Sequence, residues 1–353
     1  MSADRPVAGR TAGTPIAITG LGAVSGYGDG VEALWAGLAS GTSAIGPFAR
    51  FEHARFRTQL ASESRAPAAS EGMQRSSIAD RFALGAAREA LAQAGLPSQL
   101  DELECGIYFG SSTGGMFESE SYFADLLGEP RRAARIGRLS AQQTCSPGES
   151  VGRAHGVLGP VQTVASACAS ATLAMGNALA ALRAGEIDIA LAGGSDSLCR
   201  LTYAGFNSLR AVDPRACRPF RSEREGMSIG EGAAVLVLET AASARARGAR
   251  VLGWLLGAGA SCDAHHMTAP DPQGAGIARA VEAALADAGL AAAAIDFVNV
   301  HGTGTPHNDA AEASMLRAIF GDRLSRLPLT SSKGAIGHYL GAAGAIEAVA
   351  TML

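Results

Sequence analysis

The residue with the clearest potential for covalent chemistry is Cys168. It follows the largely β-branched run Val161–Val164 and precedes a helical pattern of apolar residues that stops at Gly185. This order predicts a strand, a tight turn, the cysteine and then a helix. A helix N-terminus offers free N–H groups and a positive dipole end, which favour the nucleophilic thiolate. Free cysteine is commonly a buried structural residue, but of the six cysteines only Cys168 has this setting.

Two further polar motifs lie in the second half of the chain. His301 opens a His-Gly-Thr-Gly-Thr-Pro loop after a predicted strand, and Lys333 and His338 precede a predicted helix. A histidine just past a strand, in a glycine loop, is placed as a catalytic base or donor; the alternative is a turn histidine that bonds only to backbone. The 29 lysine and arginine residues include a single lysine, Lys333. That lysine is therefore a candidate for chemistry that needs a compact ammonium.

The elements that must position these residues are predicted in a similar order twice, which indicates a duplicated α/β domain with two central sheets. The loop after residue 300 corresponds to the loop after residue 109, and residues 330–342 correspond to residues 163–170. We expect one half over 15–245 and the other over 250–353. Predicted strands are 15–20, 105–110, 161–164, 187–192, 233–239, 251–260, 295–300 and 327–331; predicted helices are 31–38, 78–94, 276–288, 310–320 and 340–353.

Composition excludes several classes of protein. The net charge of −4 over 353 residues argues against nucleic acid as the main partner. No run of about 18 apolar residues predicts a membrane span, and no apolar signal core opens the chain, so we expect a cytoplasmic protein with reduced thiols. Short cysteine or histidine ligand pairs are absent, which argues against a metal site. Residues 116–159 are expected to cap the core, with a solvated basic cluster at Arg131, Arg132 and Arg135.

Three motifs in this order and spacing resemble those of the Cys-His-His condensing enzymes, the elongating β-ketoacyl-acyl-carrier-protein synthases. The resemblance runs from about residue 15 to the end of the chain. It implies the thiolase-like fold, a duplicated α-β-α-β-α sandwich with two central mixed sheets that forms homodimers or paired heterodimers. The motifs are Ala167-Cys168-Ala169, His301-Gly-Thr-Gly-Thr-Pro and Lys333-x-x-x-Gly337-His338-x-x-Gly341-Ala342-Ala343-Gly344, with Gly193-Gly194-Ser195-Asp196 and Gly230-Glu231-Gly232 in addition.

The resemblance also implies a mechanism, a decarboxylating Claisen condensation on acyl carrier protein without metal or organic cofactor. Cys168 would carry the acyl group as a thioester, and its backbone N–H would be one oxyanion donor. His301 and His338, as neutral imidazoles, would stabilise the enolate left by loss of CO₂ from malonyl carrier. Lys333 would hold the network near His338, with Glu312 as its expected ion-pair partner. The pantetheine arm would be bound by the hydroxyl groups of two residues, Thr303 and Thr305.

Two alternatives from other classes stay open. A degradative thiolase shares the fold and nucleophile but has a second cysteine near its C-terminus, and no cysteine follows Cys262. A chain-length factor, the non-catalytic partner of a condensing enzyme, lacks the nucleophile that Cys168 supplies. The final predicted helix runs to Leu353. In the first half the corresponding helix, which follows Cys168, is followed by two strands, but no such strands follow here, and the glycine-rich gating loop of the family is also missing. We therefore expect a C-terminally shortened form. Chain length and pathway, fatty acid, polyketide or aryl-polyene, cannot be read from these motifs.

Overall fold

A computed structural model describes residues 13–67, 76–128, 135–267 and 269–353. Arg131 and Arg132 of the predicted basic cluster lie outside the described residues, and Arg135 is exposed, as expected of a solvated position. No helix among the described residues is long and apolar enough to cross a membrane.

Helices and strands are interspersed along the chain. The strands are β1 (Ile16–Ser25), β2 (Gly28–Asp29), β3 (Gly46–Pro47), β4 (Leu60–Ser62), β5 (Cys105–Gly110), β6 (Val161–Val164), β7 (Ile189–Asp196), β8 (Ile229–Gly230), β9 (Gly232–Thr240), β10 (Gly253–Leu255), β11 (Val298–Asn299) and β12 (Leu329–Thr330). The helices are α1 (Val31–Ser40), α2 (Ile78–Ala94), α3 (Met116–Leu127), α4 (Ser146–Ala154), α5 (Ser170–Ala184), α6 (Arg200–Ser208), α7 (Ala241–Ala246), α8 (Ala275–Ala288), α9 (Pro306–Phe320), α10 (Lys333–Ile336) and α11 (Ala343–Met352). Short 3₁₀ turns cover Ile136–Ala141, Ala292–Ala294, Gly321–Ser325 and Leu340–Ala342.

The largest sheet in the described part of the chain has seven strands in the order β10-β1-β9-β7-β5-β6, with β2 paired to β1. It is mixed: β5 is parallel to β6 and β7, while β9 is antiparallel to β7 and β1. Helices α2 and α4 cover one face, and α5 and α11 cover the other. Because α11 comes from the second half of the chain, this layer joins the two halves.

The second half builds a smaller sheet. Strands β11 and β12 form a parallel pair, with α8 and α9 packed on Val298 and Val300. The predicted strand 251–260 is wrong in extent and place, since only Gly253–Leu255 is a strand, and it pairs antiparallel with β1 of the first half. Helices packed around central sheets, the larger of which is mixed, nevertheless match the predicted fold class.

The predicted cap over 116–159 is only partly right. Helix α4 packs against α2 and β5, and Val151 is fully buried in the core of the large sheet. The only apolar side chains of α4 larger than a methyl group are those of Pro147 and Val151. The burial of this helix depends on close packing, since Gly148 and Gly152 face Phe109 and Val161 directly.

One close approach sets the position of the nucleophile. A Cβ at Gly110, the last residue of β5, would lie 2.2 Å from the backbone nitrogen of Ala171 in the first turn of α5. Only glycine therefore lets α5 begin directly against the end of β5. This contact places Cys168, just before α5, beside the loop that follows β5.

Candidate active site

The Cys168 turn is a strained link between β6 and α5. Ala167 has φ 45°, a left-handed conformation that is uncommon for a residue with a side chain. Ser170 stabilises it: its hydroxyl donates to the Ala167 carbonyl (2.6 Å) and accepts from the Ser166 N–H (2.8 Å). The hydroxyl of Ser112, from the loop after β5, donates to the same carbonyl at 3.1 Å. The turn is thus held in one geometry with the cysteine at its apex.

His338 is the side chain that contacts the cysteine sulfur. Its backbone is tied to β8, because the His338 N–H donates to Ser228 (2.7 Å) and the Gly230 N–H donates to the His338 carbonyl (2.9 Å). The ring nitrogen Nε2 lies 2.9 Å from Cys168 Sγ, and Nδ1 accepts the backbone N–H of Leu340 at 3.1 Å. Since Nδ1 accepts, the neutral ring carries its proton on Nε2, facing the sulfur.

His301 reaches the same place from the loop after β11. Its ring centroid is 5.3 Å from that of His338, and the two rings are nearly perpendicular. The Lys333 ammonium lies 3.3 Å from His301 Nδ1. An ammonium has only donors, so Nδ1 must accept and the neutral ring carries its proton on Nε2. Both histidines are therefore preset as Nε2–H donors.

The expected Lys333–Glu312 ion pair is wrong. Lys333, 1% exposed, pairs instead with Glu347 of α11. Glu312 accepts the backbone N–H groups of His301 (2.5 Å) and Gly302 (2.8 Å), so it fixes the histidine loop. It sits on the first turns of α9, where its carboxylate points back at that loop, whereas α11 runs past the lysine.

Burial sets the protonation states of the site. It raises the pKa of the Cys168 thiol above its usual value; the nearby Lys333 ammonium and the cysteine's own N–H act in the opposite direction but are weaker. The expected net preference for thiolate is therefore not met. Burial, reinforced by the Lys333 charge, holds the pKa of His301 and of His338 well below the usual range. At neutral pH the resting site contains a thiol and two neutral imidazoles.

A metal would not suit this donor set. Cys168 Sγ and one nitrogen of each histidine lie within 4.8 Å of one another, and these are metal-ligand types. A ligating Nε2 would have to release its proton, so the ring proton would move to Nδ1. There it would face the Leu340 N–H in His338 and the Lys333 ammonium in His301, donor against donor. Thiol and imidazole chemistry fits the contacts better.

The two threonines predicted to bind pantetheine lie in the loop between β11 and α9. The hydroxyl groups of Thr303 and Thr305 are 2.9 Å apart, and Thr303 Oγ1 also accepts the Thr305 N–H at 3.3 Å. Thr303 is buried and Thr305 is partly exposed. Any contact with a pantetheine arm stays a prediction.

Sequence reasoning missed two residues of the site. Glu347 is the only charged residue of α11, in a helix otherwise made of small and apolar residues, and that isolation could have marked it. Asp196, fully buried at the end of β7, accepts hydrogen bonds from the loop after β5 and from Gly341. It is the last residue of the Gly193-Gly194-Ser195-Asp196 motif, and the sequence indicated no role for it.

The fold agrees with comparisons to known proteins. Residues 13–244 match the profile of the β-ketoacyl synthase N-terminal domain, and residues 252–353 match that of the β-ketoacyl synthase C-terminal domain. The chain belongs to the β-ketoacyl synthase family. The predicted thiolase-like fold and the predicted class of enzyme, a condensing acyltransferase, are confirmed.

Similar proteins come from both polyketide and fatty acid systems. A putative polyketide β-ketoacyl synthase 1 of Streptomyces halstedii is 38% identical, over 96% of this chain and 85% of that protein. A 3-oxoacyl-[acyl-carrier-protein] synthase 2 of Coxiella burnetii is 34% identical, with the same coverage. The solved ishigamide ketosynthase/chain length factor matches with a TM-score of 0.90 and 35% identity, over 96% of this chain and 85% of that one.

Proposed function

We propose that this chain condenses an acyl thioester, held on Cys168, with malonyl-acyl carrier protein to give 3-oxoacyl-acyl carrier protein. The observation that carries the proposal is the convergence of Cys168 Sγ with two histidines whose Nε2–H groups are fixed as donors. Family membership supports the reaction class. The two-part division of the chain over 15–245 and 250–353 belongs to the same proposal.

Acylation exchanges one thioester for another. Cys168 Sγ attacks the acyl carbonyl, the bond from that carbonyl to the carrier sulfur breaks, and the thiol proton ends on the departing carrier thiolate. The His338 Nε2–H beside the sulfur stabilises the thiolate as it forms. This compensates for burial, which on its own favours the neutral thiol.

Condensation then uses the two donors. The malonyl C–C bond breaks, CO₂ leaves, and the electron pair is held as an enolate whose oxygen accepts the Nε2–H groups of His301 and His338. The enolate carbon attacks the acyl carbonyl, the Cys168 thiolate leaves, and it takes one proton from solution. Burial keeps both rings neutral, the Lys333 charge reinforces this, and Lys333 holds His301 by its contact with Nδ1. We place the pantetheine arm against Thr303 and Thr305.

The proposed partners are acyl- and malonyl-loaded acyl carrier protein and a second synthase subunit, identical or paralogous. The names of the similar proteins support both. A cytoplasmic location is part of the proposal, supported by six cysteines that are all unpaired. The retained Cys168 argues against a non-catalytic chain-length factor.

Mass spectrometry of the intact protein after incubation with acyl carriers of several chain lengths tests the nucleophile. We expect the mass of one acyl group on the wild type and on a Cys262→Ser control, whose cysteine is exposed, and none on Cys168→Ala. Condensation in Cys168→Ala should fall by about 10⁶-fold, the scale seen when a covalent nucleophile is removed. Acylation of Cys168→Ala at Cys145 or Cys199 would overturn the assignment.

A further inference from the structure

The carboxylate of Asp196 connects the two turns that carry the reacting groups. It is fully buried, and no ion pair is formed with it among the described residues. Neutral donors surround it instead. They are the Ser111 hydroxyl (2.7 Å), the Ser112 N–H (2.9 and 3.0 Å), the Thr113 N–H (2.8 Å) and hydroxyl (2.9 Å), and the Gly341 N–H (2.6 Å).

On one side these bonds lead to the nucleophile. Ser112 gives its N–H to Asp196 and its hydroxyl to the carbonyl of Ala167, the left-handed residue before Cys168. A residue held at positive φ persists only where its surroundings over-determine it. The Asp196 carboxylate fixes Ser112, and Ser112 in turn fixes the carbonyl that defines the turn.

On the other side they lead to His338. Gly341, which donates to Asp196, directly follows Leu340, a buried residue that, like Ala167, has a left-handed φ, here 51°. The Leu340 N–H is the donor that occupies Nδ1 of His338. Position 341 also has no room for a side chain, because a Cβ there would lie 2.7 Å from both Asp196 Oδ2 and the Ser112 nitrogen.

We infer that Asp196 is a positioning residue that holds Cys168 and His338 in register and keeps His338 in its Nε2–H tautomer. An anion is suited to this task because it accepts from every donor around it, whereas a neutral amide would turn an NH₂ group toward N–H donors. The inference rests on the proposed function only for its catalytic consequence. Its structural part concerns the geometry of sulfur and imidazole, whatever the substrate.

The test is Asp196→Asn, with Ser195→Ala as the matched control. Ser195 is the preceding residue of β7, is equally buried, and donates to Ala79 on the opposite face at 2.7 Å. We expect Asp196→Asn to lower kcat about 10²-fold, as expected for a displacement of about 1 Å between reacting groups, with little change in KM. The ¹⁵N shifts of His338 should change from the Nε2–H tautomer to a mixture. Ser195→Ala should alter thermal stability alone.

Ser112→Ala tests the link from Asp196 to Cys168 separately from the link to His338. It removes the bond to the Ala167 carbonyl but keeps the backbone N–H to Asp196, so alkylation of Cys168 by iodoacetamide should slow while the His338 tautomer stays unchanged. A folded Asp196→Asn protein with the wild-type tautomer and wild-type alkylation would overturn the inference. If Asp196→Asn does not fold, Ser111→Ala removes a single donor and is judged by the same two readouts. Neither readout requires condensation, so failure of the proposed reaction would be seen separately.

Discussion

The two halves of the protein build the same turn and use it for different purposes. In the first half, Ala167 has φ 45° and Ala169, which precedes α5, has φ −84° and ψ −5°. In the second half, Leu340 has φ 51° and Ala342, which precedes α11, has φ −85° and ψ −7°. The first turn follows β6 directly, and the second follows β12 after the short helix α10; β6 and β12 are each the second strand of a parallel pair. The duplication predicted from the order of elements thus extends to individual backbone angles.

The central residue of the two turns differs, and so does what its N–H binds. In the second half it is Gly341, whose N–H donates to the buried Asp196 carboxylate. In the first half it is Cys168, whose N–H lies beside its own sulfur and lowers the pKa of that thiol. The repeated turn therefore offers an N–H suited to an anion twice. The N–H of Gly341 holds the structure together, and the N–H of Cys168 is the one that we propose stabilises charge during the reaction.

Among variants of the second half, the largest effect should come from removing the two histidine donors. His301→Ala and His338→Ala should each lower CO₂ release from malonyl carrier by about 10²–10³-fold, the usual effect of losing one donor to an oxyanion. Cys168 acylation should persist in both, more weakly in His338→Ala because only that ring contacts the sulfur. Release of labelled CO₂ and mass spectrometry of the acyl-enzyme measure the two steps. His307→Ala, at an exposed position of α9, is the control. Equal losses of CO₂ release and Cys168 acylation would contradict the prediction that the two histidines act mainly in decarboxylation.

The next effect concerns the buried ion pair behind the second turn. Glu347→Gln should lower the free energy of unfolding by about 3–5 kcal/mol, because it leaves the Lys333 ammonium buried without its counter-charge. Glu312→Gln should leave that ion pair intact and weaken only the His301 loop. Chemical denaturation of both variants compares them. A larger loss of unfolding free energy for Glu312→Gln would favour the Lys333–Glu312 pairing first expected from the sequence.

A pH titration tests how the second half acts on the first. Lys333→Met should shift the pH midpoint of Cys168 alkylation upward, because burial raises the pKa of that thiol and the ammonium that partly opposes this rise is removed. Glu347 can then become neutral, since burial already raises the pKa of its carboxyl group. Condensation in the wild type should show no histidine titration near pH 6.5, because both imidazoles stay neutral there. A midpoint that does not move in Lys333→Met would show that the lysine charge has no effect on the pKa of the Cys168 thiol.

The smallest effect concerns the turns themselves. Ala167→Gly should raise the free energy of unfolding by about 1 kcal/mol or less, because glycine adopts positive φ without strain and the lost methyl group is exposed. Leu340→Gly should instead destabilise the protein, since Leu340 is buried in a core cluster. Thermal unfolding of the pair separates strain from packing. Stabilisation by Leu340→Gly would mean that strain outweighs packing in the second turn.

Much of the site could be predicted because its chemistry depends on residue type and local order. Cys168, His301, His338 and Lys333 each stand at the end of a predicted strand or the start of a predicted helix, and the structure brings all four together. The partner of Lys333 could not be predicted. Glu312 is buried and Glu347 is partly buried, each on a helix near the lysine, and which of them meets the ammonium depends on how α9 and α11 pack.

The sequence by itself determined the elements and the groups that react. Periodicity gave α2 and β5 to the residue, and the strand-turn-helix order located the nucleophile, because these signals are local. Only the tertiary structure decided the sheet to which β10 belongs, the tautomers of the two histidines and the role of Asp196. The pairing of β10 and the role of Asp196 depend on contacts between segments more than 80 residues apart, such as Gly341 with Asp196. The tautomers depend on which donor the folded chain places at each Nδ1, the Leu340 N–H for His338 and the Lys333 ammonium for His301. The thiol pKa was likewise a property of burial, which the order of residues does not reveal.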